Sequence, residues 1–569
     1  MRTTIADFLV SRIAQIDCEH VFGVPGDFNL QLMDQIQRCS KIDFIGCCNE
    51  LNAAYAADGY ARLNGISVLL TTYGVGDLGA ISGVAGAAAE QVPLVCISGA
   101  PPLHIMQQGT PLHHTLGDGN YNNVMNCFSQ VCSDYACLTP DNAAFEIDRL
   151  LTNCYHNKKP VYIQIPSDIS HITIDAESSH LELGNESNAE QLSSAISALT
   201  CLWQDSHKPA ILADMHAERL GYDKLLLDFA EATSTSYATL TTGKAVLPEQ
   251  HPLFIGVYQG SYSAPESRDL IEESDFLITT SPRLIEANSG HFTDRLPNES
   301  IINLQTNAIS IRGVTYYAVN PCELLTHFLE SVQEDAKTNQ KQYSPNQEIQ
   351  TPPIPEHACL TQTRLWPRIA HFIAPNDVVI AESGTSSLGL GGQKLPSGVT
   401  YINSNIWGAI GFTLPAVLGT CLAAPKRRHL LFIGDGSFQL TMQELSTLLH
   451  QDQKPIIFII NNFGYTIERF IHGINASYND IKNWDYSALP SIFSSSDQYI
   501  SFRVQTEGQL EQAITTIKSS NKLSLVELQL DALDAPESLK KFGSATAEFD
   551  YGHNIPNQYT SEDTSHSSI

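Results

Sequence analysis

One segment limits what this chain can become more than any other: LLFIGDGSFQLTMQELSTLLHQDQKPIIFIINNFGYTIE, residues 430–468. Residues 430–433 form an apolar run with the length and bulk of a buried strand. Gly434-Asp435-Gly436-Ser437 breaks that run. Met442, Leu445, Leu448 and Leu449 then recur at helical spacing, so a helix is expected after the turn. A second apolar run, 456–460, predicts the next strand. Strand–helix–strand units of this kind build parallel sheets. Asp435 ends the first strand and Asn461-Asn462 ends the second. In open α/β sheets, ligands sit beyond the carboxyl ends of the strands, where these oxygen-bearing residues fall.

A diphosphate held by magnesium suits that layout. Gly434 and Gly436 let backbone approach an anion without a clashing Cβ, and the helix N-terminus beyond offers free N–H groups. Magnesium takes near-octahedral oxygen ligation from one or two protein groups plus phosphate and water. Asp435, the Asn462 side chain and a carbonyl of the 462–464 turn can supply three oxygens. Taken alone, GDG is equally a strand–turn–helix in which Asp435 caps a helix; the paired Asn on the neighbouring strand weighs toward the diphosphate.

GDGS with the later Asn pair resembles the thiamine-diphosphate fingerprint, and GYTIE (464–468) more narrowly resembles the pyruvate and indolepyruvate decarboxylases. The resemblance runs to about Gly543. It implies an α/β chain of three doubly wound parallel-sheet domains, binding thiamine diphosphate and Mg2+. Asp435, Asn462 and Gly464 are then the metal ligands. Gly436, Ser437, Tyr465, Thr466 and Ile467 join them around the cofactor. Thr385 in AESGTSSLG contacts it, Gly408 offers a carbonyl to the aminopyrimidine, and Ile410 is the apolar wedge that bends it.

The first domain carries the rest of the implied site. Glu50, in NELNAAYAADGYAR, matches the glutamate that hydrogen-bonds the aminopyrimidine; on sequence alone it reads as a first-turn helix carboxylate. Asp27, His113, His114 and Glu468 match the family's proton-handling group. The implied reaction is non-oxidative decarboxylation of a 2-oxo acid to an aldehyde through a thiamine ylid. The implied assembly is a homodimer or homotetramer with active sites at a two-fold interface. Ser387-Leu388 stands where some relatives close the pocket with an aromatic, which favours larger branched or aromatic 2-oxo acids. Ile467 and Ile471 match a pyruvate-type lining and pull the other way; a broad-range enzyme is set slightly ahead. The rival enzyme is a carboligase such as acetohydroxyacid synthase, and the non-enzyme rival a phosphate-binding regulatory module.

At 569 residues the chain exceeds one core. The expected division is 1–180, 192–330 and 359–548, with linkers at 168–191 and 331–358 and a disordered tail at 549–569. The middle unit is expected to be a structural spacer. With 32 basic against 61 acidic side chains, net −29, nucleic acid and anionic membrane surfaces are poor partners. Thirteen unpatterned cysteines and no signal peptide suggest the cytoplasm. The apolar stretch 79–100 contains Glu90, Pro93 and many glycines, so a membrane span is not expected.

Overall fold

The computed structural model describes residues 2–177, 179–332, 354–494 and 497–552. The longest apolar runs become the central strands, Ser67–Thr72, Leu94–Ala100, Val161–Pro166 and Ile456–Asn461, which are buried along their whole length, whereas edge strands such as Asp43–Gly46 are partly exposed. In the first sheet the order is Asp43–Gly46, His20–Gly23, Ser67–Thr72, Leu94–Ala100, Val161–Pro166, Asp134–Cys137, every neighbour parallel. The third repeats that plan with Thr400–Ile402, Val378–Ala381, His429–Gly434, Ile456–Asn461, Leu523–Gln529, Tyr499–Val504, again all parallel. In both, the order reverses between the chain's first and third strands of the sheet, which opens a crevice at their carboxyl ends. Asp435 leaves one such end and Glu382 its neighbour; in the first sheet Asp27 and Gly74 follow the equivalent strands.

The middle sheet departs from the all-parallel expectation. Five strands, from Phe254–Val257 to Ile301–Gln305, are parallel, but Ala308–Ile311 and Val314–Tyr317 return antiparallel. Arg312 and Gly313 connect the last two with φ of +49° and +78°, the backbone of a tight hairpin turn.

Several boundaries also move. The 168–191 linker holds Thr173–Asp175, which pairs antiparallel with Arg2–Thr4, and it runs into the Ala189–Asp205 helix capped by Asn188. The helix expected after GDGS is two, Asp435–Thr441 and Glu444–His450. The last helix, Glu537–Tyr551, passes the expected start of the tail. Residues 333–353 of the second linker and 553–569 of the tail lie outside the described residues.

One core runs through the first and third units. The Glu50–Asn64 helix crosses Thr413–Ala423 so closely that a Cβ on Gly59 or Gly419 would overlap the facing backbone. The Glu444 carboxylate accepts from Asn52 Nδ2 at 2.8 Å and Cys48 N at 3.3 Å. The middle unit has its own core around Trp203, Phe229, Phe276 and Phe328. It is tied to the third by a buried pair: Lys244 Nζ lies 2.9 Å from both Glu249 oxygens and donates to Gln393 O at 2.7 Å. No helix among the described residues is long and apolar enough to cross a membrane.

Candidate active site

Asp435 is fully buried at the end of its strand. Its Oδ1 accepts from Gly436 N at 2.8 Å and its Oδ2 from Gly464 N at 3.1 Å. Burial pushes this carboxyl up to about 7, against the lowering effect of those backbone donors. The Asn462 carboxamide lies 3.0 Å from Gly464 O and 3.3 Å from Asp435 Oδ1, and in the orientation that satisfies its partners its nitrogen donates to both. Turned over, the amide would present its oxygen beside the Asp435 carboxylate and the Gly464 carbonyl, an all-oxygen set suited to a hard divalent cation. The donor set therefore fits Mg2+.

The turn carrying two of those oxygens is strained and braced. Phe463 takes φ +62° and Gly464 φ +134°, and a Cβ on Gly464 would overlap Asn479 O. Arg469, buried beneath, donates to Phe463 O at 2.8 Å, Asn462 O at 3.3 Å and Asp480 Oδ1 at 2.9 Å. Gly436 packs under Tyr465, Ser437 is buried beside it, and Thr466 is buried with its hydroxyl donating to Ala532 O at 3.0 Å.

A cavity of about 430 Å3 opens beside this turn. Of the expected residues, Ser387, Leu388, Gly408 and Ile467 line it, together with Gly384, which was not anticipated. Thr385 begins the helix after Gly384, half-buried. Ile471 ends the helix that bears Ile467. The opposite wall comes from Phe254 and Asn288 of the middle unit and Phe542 of the last helix. The middle unit is thus a pocket wall and not only a spacer. Gly408, at φ +67°, lies in an exposed turn with Ile410 at its tip.

In the first unit, Glu50 opens its helix behind the Asn49 cap, whose Oδ1 accepts from Asn52 N at 2.8 Å. Its carboxylate lies over Gly76 and Gly79, 3.2 and 3.4 Å from where their Cβ atoms would stand. His113 Nε2 lies 2.7 Å from Asp27 Oδ2, and His114 Nε2 lies 3.5 Å from Asp27 Oδ1. Asp27, His113 and His114 therefore meet; Glu468, exposed on the third unit, is not part of that group.

Residues 3–119 match the family description "Thiamine pyrophosphate enzyme, N-terminal TPP binding domain", 196–328 its central domain and 384–528 its C-terminal TPP binding domain. The alpha-keto-acid decarboxylase of Mycolicibacterium paratuberculosis is 37% identical over 94% of this chain and 95% of its own length. Pyruvate decarboxylase isozyme 2 of Saccharomyces cerevisiae is 36% identical over 96% of this chain and 98% of its own length. The chain belongs to the thiamine-diphosphate-dependent 2-oxo-acid decarboxylase family. Its fold is also that of the 4-hydroxybenzoylformate decarboxylase of Rhodococcus jostii, at 16% identity, with a TM-score of 0.75 over 93% of this chain and 99% of that one.

For this decarboxylase the sequence reading missed the residues that brace the site. Arg469 is one. Glu382 is another: it is buried and accepts from Thr413 Oγ1 at 2.8 Å and Gly411 N at 3.1 Å, which fixes the turn bearing Gly408 and Ile410. Glu90 Oε1 holds the other side of that turn through Ile406 N at 2.8 Å. A carboxylate at a strand end, as in Ala381-Glu382-Ser383, was the available signal. Asp77 does the same in the first unit, accepting from Gly74 N at 3.1 Å and Ser98 Oγ at 2.8 Å.

Proposed function

We propose that the chain decarboxylates 2-oxo acids larger than pyruvate as well as pyruvate itself, releasing the aldehyde. Thiamine diphosphate is held as its Mg2+ complex by Asp435, Asn462 and the Gly464 carbonyl. The observation that supports this reading is the meeting of the Asp435 carboxylate, the Asn462 carboxamide and the Gly464 carbonyl at a strand end beside the 430 Å3 cavity.

When bound, the thiazolium supplies the nucleophile for the substrate carbonyl and the sink for the electrons left by CO2. Glu50 would hold the aminopyrimidine through its carboxyl, the Gly408 carbonyl would accept from the same ring, and Ile410 would supply the apolar wedge against it. Thr385, Gly436, Ser437, Tyr465, Thr466 and Ile467 complete the cofactor's surroundings. Asp27, His113 and His114, with Glu468, hold the proton that replaces CO2 on the former carbonyl carbon. Ser387 and Leu388 leave room for a branched or aromatic side chain, bounded by Ile467 and Ile471.

Each half of this machinery has an uncovered apolar rim. Val75 and Leu78 are exposed beside the glycines that face Glu50; Trp407, Ile410 and Leu440 are exposed beside the Asp435 side. A two-fold pairing that brings Glu50 of one chain to Asp435 of another covers both rims, so a homodimer is the minimal assembly and a homotetramer its doubling. Thirteen free thiols suit the reducing cytoplasm.

The test is aldehyde release from pyruvate, a branched 2-oxo acid, phenylpyruvate and indolepyruvate, each with and without EDTA. Turnover of at least one larger acid, abolished by EDTA and restored by Mg2+ with thiamine diphosphate, is expected. CO2 production that persists after both are stripped overturns the reading.

A further inference from the structure

Asp27, His113 and His114 have the geometry of a second kind of site. Their ligand atoms all lie within 4.8 Å of one another. Both histidines present Nε2 to one carboxylate, at 2.7 Å from Oδ2 and 3.5 Å from Oδ1. Zinc holds imidazole nitrogen and carboxylate oxygen at about 2.0–2.2 Å, which in a four-coordinate ion sets ligands about 3.4 Å apart. The observed separations straddle that value, so small rotations of exposed side chains close the site. Adjacent residues converge in this way because His114 takes φ +60°, which sets the two rings 4.6 Å apart and tilted by 60°. Phe28 stacks on His113 at 5.2 Å and meets His114 edge-on at 6.0 Å, narrowing the rings' freedom. Two imidazoles and one carboxylate with an open fourth position select borderline transition ions such as Zn2+. Mg2+ prefers an all-oxygen set such as the one around Asp435.

We propose that Asp27, His113 and His114 form a transition-metal site for an ion of the Zn2+ class, separate from the Mg2+ site, whose occupation blocks proton delivery. The binding half stands on geometry alone; the inhibitory half rests on the reading of this cluster as the proton donor.

The experiment uses the full chain with saturating Mg2+ and thiamine diphosphate, titrated with Co2+. One equivalent per chain is expected to give the intense visible absorption of four-coordinate, nitrogen-ligated Co(II), which Zn2+ then bleaches. That band is expected to vanish in His113→Gln and in His114→Asn, an Asn being tolerated at positive φ, while both variants still bind the coenzyme. It is expected to survive in Asp435→Asn. Absence of the band, or its persistence in both histidine variants, overturns the site. Zn2+ is also expected to lower turnover of the Mg2+-loaded wild type by about 100-fold or more. A band without inhibition overturns the blocking role and the proton-donor reading together, and leaves the metal site standing.

Discussion

Asp435 Oδ2 accepts the backbone N–H of Gly464 at 3.1 Å, and this bond locks the end of one strand to the turn that leaves its neighbour. The Asp435 carboxylate, the Asn462 side chain and the Gly464 carbonyl, the proposed metal ligands, keep their spacing only while that turn holds φ +62° at Phe463 and +134° at Gly464. Gly464→Ala places a Cβ against Asn479 O and is expected to cost about 2 kcal/mol or more. The check is urea unfolding of the apoprotein alongside the thermal shift on adding Mg2+ and thiamine diphosphate. The expected result is a lower midpoint and a lost shift; an unchanged shift shows that the turn does not set the oxygens.

Glu382 makes the stability of the fold depend on pH. Burial pushes its carboxyl from 4.5 up to about 7, despite donation from Thr413 Oγ1 and the N–H groups of Ser383 and Gly411. The folded chain therefore keeps a proton that the unfolded chain has already released between those values. Its contribution is full below the unfolded value and is lost as pH rises to about 7, by up to about 3 kcal/mol. Glu382→Gln cannot titrate. Its unfolding free energy relative to wild type is expected to rise across that window, as Asp435 and Asp77 titrate alike in both proteins. Parallel pH profiles refute it.

What could be read from the sequence was local. Asp435 and Asn462 announce themselves because each sits at the end of an apolar run, and strand ends are where α/β sheets place ligands. Glu50 and the histidines carry no such local signal; the resemblance supplied them. Arg469 was invisible because it serves carbonyls of Asn462 and Phe463 that only the folded turn gathers. The middle unit looked inert because its contribution, a wall with Phe254 and Asn288, consists of ordinary residues brought to the cavity by docking of the units. Its antiparallel ending was not anticipated, because Arg312-Gly313 is not one of the Asn-Gly or Asp-Gly pairs that mark a two-residue hairpin, although the turn takes that backbone with φ of +49° and +78°.

On the proposed reading, Ser387 sets how much of the cavity a substrate can use. Its hydroxyl donates to Gly384 O at 3.2 Å, and it lines the same wall as Ile467. Ser387→Trp is expected to fill that wall. Then kcat/KM for phenylpyruvate and indolepyruvate falls by about 10-fold or more while that for pyruvate is kept. Equal losses on all substrates point instead to a disturbed cofactor site, and unchanged ratios remove Ser387 from the substrate pocket.

On the proposed reading, Glu50 separates holding the coenzyme from using it. Its carboxylate lies over Gly76 and Gly79, where no side chain competes for its oxygens. Glu50→Gln keeps the shape and a hydrogen-bonding end but cannot exchange a proton. Coenzyme affinity, read by calorimetry with Mg2+ present, is expected to stay within about 10-fold, because the proposed function puts the diphosphate at Asp435 and Asn462 in the other half of the site. Turnover is expected to fall by about 100- to 10,000-fold, the range for removing a positioned acid or base. A parallel fall in affinity and turnover makes Glu50 an anchor only. Turnover within about 10-fold of wild type excludes the proton role, because a carboxamide can hold the ring but cannot pass the proton on.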